Sequence, residues 1–146
     1  MNNIYLKNVQ NKVKKILKSE KKTLFLASQD NCSEVSRLVG CWILQDFPTI
    51  NASILKGKNV MNATNKNHDI LAIEEKNKFY LIDATVWQFF KNKKNILLTT
   101  KNSMEECLQF AEKFYKGKWS ISETLDKNDF QNIKKWESDI KTNICL

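Results

Sequence analysis

A chain of 146 residues with 42% hydrophobic content, three Gly and one Pro carries enough apolar surface for one buried core, which excludes a disordered or fibrous protein. Its formal charge of +8 comes from 24 basic residues against 16 acidic ones, and every basic residue except Arg37 is Lys. No apolar run approaches a membrane span and no continuous apolar leader opens the chain, so the expectation is a single soluble domain, residues 1–146. Four Cys, none spaced as C-x-x-C, and one His offer no zinc pattern and no disulfide framework, which fits a reducing environment and no cofactor.

The elements follow in chain order. Residues 4–19 read as an amphipathic helix, with Tyr5, Val9, Val13, Ile16 and Leu17 at helical spacing. Leu24, Phe25 and Leu26 are a short apolar approach to a central helix over residues 31–46. Asn31 is its N-cap, Glu34 stands where a capping box requires it, and Pro48 stops it. Residues 50–56 suit a strand and residues 58–67 a polar loop. Residues 68–74 and 79–87 are the clearest strands, apolar on both faces as in the middle of a covered sheet. A third strand is expected over 95–100, a helix over 103–116 capped by Ser103 and Glu106, and an edge strand over 119–123. A last amphipathic helix over 128–142 carries Phe130, Ile133, Trp136 and Ile140. Helices, then an antiparallel sheet, then helices make the class α+β.

Cys32, His68 and Asp83 stand in an order that supplies a nucleophile, a base and an orienting group. Cys32 falls at the first position of the central helix, where the helix N-terminus favours a thiolate. Cys41 and Cys107 sit in apolar helical contexts as inert thiols, and Cys145 lies next to the last residue. His68, the sole histidine, opens a strand after the polar loop. A turn at Glu75-Lys76 sets His68 directly opposite Asp83. A turn at Lys76-Asn77 sets Asp83 opposite Ile70 and diagonal to His68. Both registers put the two side chains on one face. Asp83 interrupts an apolar strand, and two readings stand: the carboxylate is buried and paired with the imidazole, or the strand ends at Ile82 and Asp83 begins a turn. An oxyanion would meet the Cys32 N–H together with a side-chain donor from Gln29 or Asn31, although Asn31 serves more simply as the cap. Gln88 either lines the cleft or supports its loop. Trp87 is either an aromatic wall or a core residue. Arg37 either pairs with Glu34 or binds substrate.

The Asn31-Cys32 helix start, the His68 strand start and the segment FYLIDATVWQF (Phe79 to Phe89) resemble the papain-like superfamily. Within it they resemble bacterial papain-fold toxins and effectors, including protein-glutamine deamidases. The resemblance covers residues 25–90. The C-G-[SA]-C-[WY] signature of papain proteases is absent, and the second His of the related peptidoglycan amidases has no counterpart beside DNCSEV. The resemblance implies a papain-like fold and a cysteine-dependent amide hydrolase with Cys32 as nucleophile, His68 as general base and acid, and Asp83 as orienter. It also implies a toxin or effector domain, secreted or delivered into the cytoplasm of a target cell. Such a domain acts on a protein substrate and is held in check by an acidic immunity protein. Glutamine deamidation, proteolysis and transglutamination use the same steps and stay open. The alternative is a non-enzymatic basic module that binds acidic protein or nucleic acid through the first helix. There Lys7, Lys12, Lys14, Lys15, Lys18, Lys21 and Lys22 face only Glu20.

Overall fold

The computed structural model describes residues 1–145. Three helices come first: α1 (Asn3–Leu17), α2 (Leu24–Ser28) and α3 (Cys32–Asp46). The strands β1 (Asn51–Lys58), β2 (Asn67–Glu75), β3 (Lys78–Ile82) and β4 (Leu97–Lys101) follow, then α4 (Met104–Tyr115), β5 (Lys118–Leu125) and α5 (Ile133–Cys145). The strands form one antiparallel sheet in the order β4-β3-β2-β1-β5. The class is therefore α+β with helices on both faces of the sheet.

The sequence pattern explains the order. β2 and β3 are apolar at successive positions, so both of their faces must be covered, and β2 takes the middle of the sheet. Leu71 and Ile73 of β2 and Ile82 of β3 pack with Val35, Leu38, Val39 and Trp42 of α3, together with Val9 and Val13 of α1 and Ile140 of α5. Ile70 and Ala72 of β2, with Leu81 of β3, pack on the other face with Cys107, Ala111 and Tyr115 of α4. The α4 residues recur every fourth position, which makes one helical stripe.

The β2–β3 hairpin turns at Lys76-Asn77, where φ is 49° and 63°. Positive φ at both central residues is the requirement of a two-residue type I′ turn. Leu71 therefore pairs with Ile82 and Glu75 with Lys78, the second of the two registers open to the sequence. The expected strand over 79–87 stops at Ile82, because the Asp83 side chain accepts from the Thr85 N–H at 3.0 Å and turns the chain into a short 3-10 helix, Val86–Gln88. Three other elements differ from expectation. The apolar approach at Leu24–Ser28 is a helix capped by Thr23. The loop over 58–67 holds a 3-10 turn at Val60–Asn62. The last helix is preceded by a 3-10 stretch, Lys127–Asn132, which an Asp126–Asp129 capping box starts.

One glycine bears directly on the position of His68. Gly57 of β1 pairs with His68 on one side and with Trp119 of β5 on the other. A Cβ at Gly57 would stand 2.4 Å from two carbons of the Trp119 ring and 2.7 Å from Val60. The buried indole is held by its N–H bond to the Lys116 carbonyl at 2.9 Å, so it has no room to yield. Gly57→Ala is expected to destabilise the fold by about 1–3 kcal/mol through overpacking, read as a lower Tm. An unchanged Tm would mean that the indole moves freely over this row.

Candidate functional site

Three separate elements deliver the side chains that the sequence singles out. Cys32 is the first residue of α3 and half-buried. His68 lies at the start of β2 and Asp83 directly after β3, and both are fully buried. In the observed register Asp83 extends the β3 pairing one position past Leu71↔Ile82. It therefore lies diagonal to His68, and the two side chains share the α4 face of the sheet. His68 Nε2 and Asp83 Oδ2 are 2.7 Å apart. Both readings of Asp83 thus hold together: it begins a turn through one oxygen and meets the imidazole through the other.

The carboxylate is surrounded by donors. Oδ1 accepts from the Thr85 N–H at 3.0 Å and the Thr85 hydroxyl at 3.3 Å. Oδ2 faces His68 and also accepts from the Tyr115 hydroxyl. A buried charge requires such partners. The imidazole is walled by aromatic rings, with centroid distances of 4.8 Å to Phe89, 5.1 Å to Tyr115 and 6.3 Å to Trp119. Burial alone would lower the His68 pKa, but the Asp83 charge and hydrogen bond, with the Cys32 thiol behind them, raise it from 6.5 to about 10. With Nε2 turned to Asp83, Nδ1 is the nitrogen left for the sulfur. Nδ1 is buried and has no hydrogen-bond partner, and the Cys32 thiol bears on the ring only through its share in raising the His68 pKa.

The start of α3 is built for access to its backbone donors. Asp30 adopts φ 62°, a left-handed conformation that Asp tolerates better than most residues. Asn31 occupies the N-cap position but its side chain caps nothing. The expected capping box with Glu34 is therefore absent. The Asn31 amide instead donates to the Ala27 carbonyl at 2.8 Å and accepts from Asn143 of α5 at 3.0 Å. Those bonds fix the loop and leave the first-turn N–H groups of α3 free of a side-chain cap, pointing toward whatever sits at Cys32.

The other sequence-chosen residues part ways. The Gln29 amide donates to the Phe25 carbonyl at 3.3 Å and to the Gln88 carbonyl at 3.0 Å. Both of its protons are committed to tying α2 to the turn after β3, so it offers no oxyanion donor in this arrangement. Asn31 is buried, with one amide proton on the Ala27 carbonyl and its oxygen accepting from Asn143. Gln88 is buried, and its side-chain oxygen has no partner. Trp87 packs in the core, with its N–H donating to the Lys93 carbonyl at 2.8 Å, and is not a cleft wall. Arg37 pairs with Asp69 at 2.9 Å and Glu123 at 2.6 Å instead of Glu34, which joins α3 to β2 and β5.

Tyr115 escaped the sequence reading. The available signal was a tyrosine in the apolar α4 stripe with Cys107 and Ala111, since a buried phenol needs a hydrogen-bond partner. The remaining thiols separate cleanly. Burial, with acidic neighbours behind it, pushes Cys41 up to about 12 and Cys107 to about 11, and of the four thiols Cys145 alone is exposed. Among the described residues no group of His, Cys, Asp and Glu side chains is arranged to hold a metal ion. No helix of the described residues is long and apolar enough to cross a membrane.

Two clefts mark the surface away from these residues. One of about 430 Å³ lies between α1 and residues 95–97. One of about 980 Å³ lies between the end of α1 and α5. Neither is lined by Cys32, His68 or Asp83. No family model, no curated protein and no solved structure matches the chain.

Proposed function

We propose that the protein is a cysteine-dependent amide hydrolase of papain-like type, a toxin or effector domain that modifies a protein target. The observation that supports it is the single histidine bonded to a buried carboxylate, with the half-buried thiol of Cys32 at a helix start contributing to its raised pKa.

In this reading the Cys32 sulfur attacks an amide carbonyl carbon while His68 holds the thiol proton at Nδ1. The carbonyl oxygen becomes an oxyanion and meets the uncapped N–H groups of the first turn of α3, the Cys32 N–H among them. The C–N bond then breaks, and the leaving nitrogen takes the proton from His68. Water next attacks the thioester and gives a proton to His68. The C–S bond breaks, and Cys32 regains its proton. Asp83 stays ionised throughout and holds the imidazole in orientation. Gln88 supports the loop after β3: its backbone carbonyl accepts from Gln29 and its amide oxygen is buried away from substrate.

A glutamine deamidase releases ammonia and a protease releases a peptide amine, and the same residues serve both. Mass spectrometry of a cytosolic proteome treated with the protein or with Cys32→Ala distinguishes them. Glutamine sites that gain about one dalton only with the intact protein identify a deamidase, and new chain ends identify a protease. Two indistinguishable proteomes would contradict the hydrolase reading.

A second reading draws on the larger cleft. Lys15, Lys18, Lys21, Lys22 and Lys141 line it against Glu20 and Glu137, which suits an acidic protein surface, either the partner of a binding module or an immunity protein. Lys12 and Lys14 belong to it less, because their ammonium groups lie over Trp42 at 4.0 Å and Trp87 at 5.8 Å.

A further inference from the structure

We propose that Tyr115 is a positioning residue of the Cys32–His68–Asp83 site: its hydroxyl and the His68 imidazole share one carboxylate oxygen, so that α4 fixes which way Asp83 faces and how much of its charge reaches His68. The inference rests on the site described above, and it concerns the state of His68 instead of turnover.

The geometry is specific. Tyr115 is the last residue of α4 and fully buried. Directly after it Lys116 and Gly117 take φ of 64° and 79°, which reverses the chain into β5 and fixes the phenol beneath the sheet. Its hydroxyl donates to Asp83 Oδ2, the oxygen that faces His68 Nε2, while Thr85 occupies Oδ1. Burial, the Asp83 charge and that hydrogen bond keep the phenol protonated well above its ordinary pKa of 10, so it acts only as a donor. A packing role would need the ring and no oxygen. A donor on the shared oxygen draws carboxylate charge away from the imidazolium.

The ionisable groups bearing on the imidazole are Cys32 from α3, Asp83 after β3 and Tyr115 from α4. Lys66, in the loop before β2, lies 5.6 Å over Phe89. From β1 and the neighbouring position of β2, Lys56 and Asp69 pair with each other, and Asp69 is also held by Arg37 from α3.

Tyr115→Phe keeps the ring and removes one oxygen. Because His68 is the only histidine, its ring nitrogens titrate alone in an NMR experiment. The midpoint is expected to rise by about one pH unit in Tyr115→Phe, because the undivided Asp83 charge then acts on the imidazolium. A midpoint that stays or falls in the folded variant overturns the proposal. If Tyr115→Phe does not fold, 3-fluorotyrosine at position 115 strengthens the donor without changing the packing. It is expected to lower the midpoint, and no movement overturns the proposal. Cys32 alkylation in the same samples keeps the two readings separate. An unselective Cys32 would sink the hydrolase and leave Tyr115 untouched. A selective Cys32 with an unmoved His68 midpoint would do the reverse.

Discussion

His68→Ala is expected to slow alkylation of Cys32 at neutral pH by about 10²–10⁴-fold, the range that a positioned acid–base group contributes. The experiment needs a Cys145→Ser background, because Cys145 is the one exposed thiol. Cys41 and Cys107 are fully buried and held protonated, so they supply an internal floor for labelling. In that background iodoacetamide should mark Cys32 alone. Hydrolysis of any target should fall by at least the same factor in His68→Ala and should vanish in Cys32→Ala. Loss of packing is a separate effect, because the imidazole sits among Phe89, Tyr115 and Trp119. The alkylation rate must therefore be compared at a temperature where both proteins are folded. Equal rates in the two proteins would remove His68 from the chemistry.

Asp83→Asn carries the second large effect, and it acts on stability and reactivity together. Every group around the carboxylate is a donor: the imidazole, the Tyr115 hydroxyl, and the Thr85 N–H and hydroxyl. An amide accepts through one oxygen only, and its NH₂ must face donors. The easiest relief is a neutral imidazole whose Nε2 accepts from the amide. That moves the ring proton to Nδ1, the side of Cys32, where it cannot take the thiol proton. Wrong-tautomer variants of this kind lose about 10⁴-fold in rate. The expected cost in stability is about 3–5 kcal/mol, because one partner of a buried pair is removed.

That cost depends on pH in a defined direction. The His68 pKa rises on folding from 6.5 to about 10. The stabilisation is therefore fully present below 6.5 and is lost as pH rises through about 10. The stability gap between the native protein and Asp83→Asn should be widest near pH 6 and should shrink toward pH 10, followed by denaturant unfolding across that range. A gap that does not narrow would show that the His68 charge plays no part in it.

How much of this was legible in the sequence depends on the physics of each element. α3 and the middle strands were visible because α3 is buried almost all round over residues 38–44 and the strands on both faces, so both leave long apolar runs between polar ends. The pairing of His68 with Asp83 was visible in part, because hairpin arithmetic leaves two registers on the same face. What chose between them was positive φ at Lys76 and Asn77, which neither residue advertises as Gly would. The end of β3 at Ile82 was hidden for a related reason: residues 84–87 remain apolar while the Asp83 side chain diverts the chain. The uncapped Asn31 depends on Asn143, far along the chain, and the Asp83–Tyr115 bond depends on how α4 is laid across the sheet. Contacts of that kind leave no local signal. For Arg37 the sequence offered Glu34 or substrate and not Asp69 or Glu123, because helical proximity is legible and partners on β2 and β5 are not.

The proposed chemistry depends on one imidazole held charged by a buried carboxylate and acting on the Cys32 thiol. An NMR titration of the His68 ring nitrogens in the native protein and in Cys32→Ala tests it most directly. The expected result is an imidazolium through neutral pH with a midpoint near 10, and a lower midpoint once the sulfur is gone. A midpoint near 6.5 that does not respond to Cys32→Ala would contradict the account.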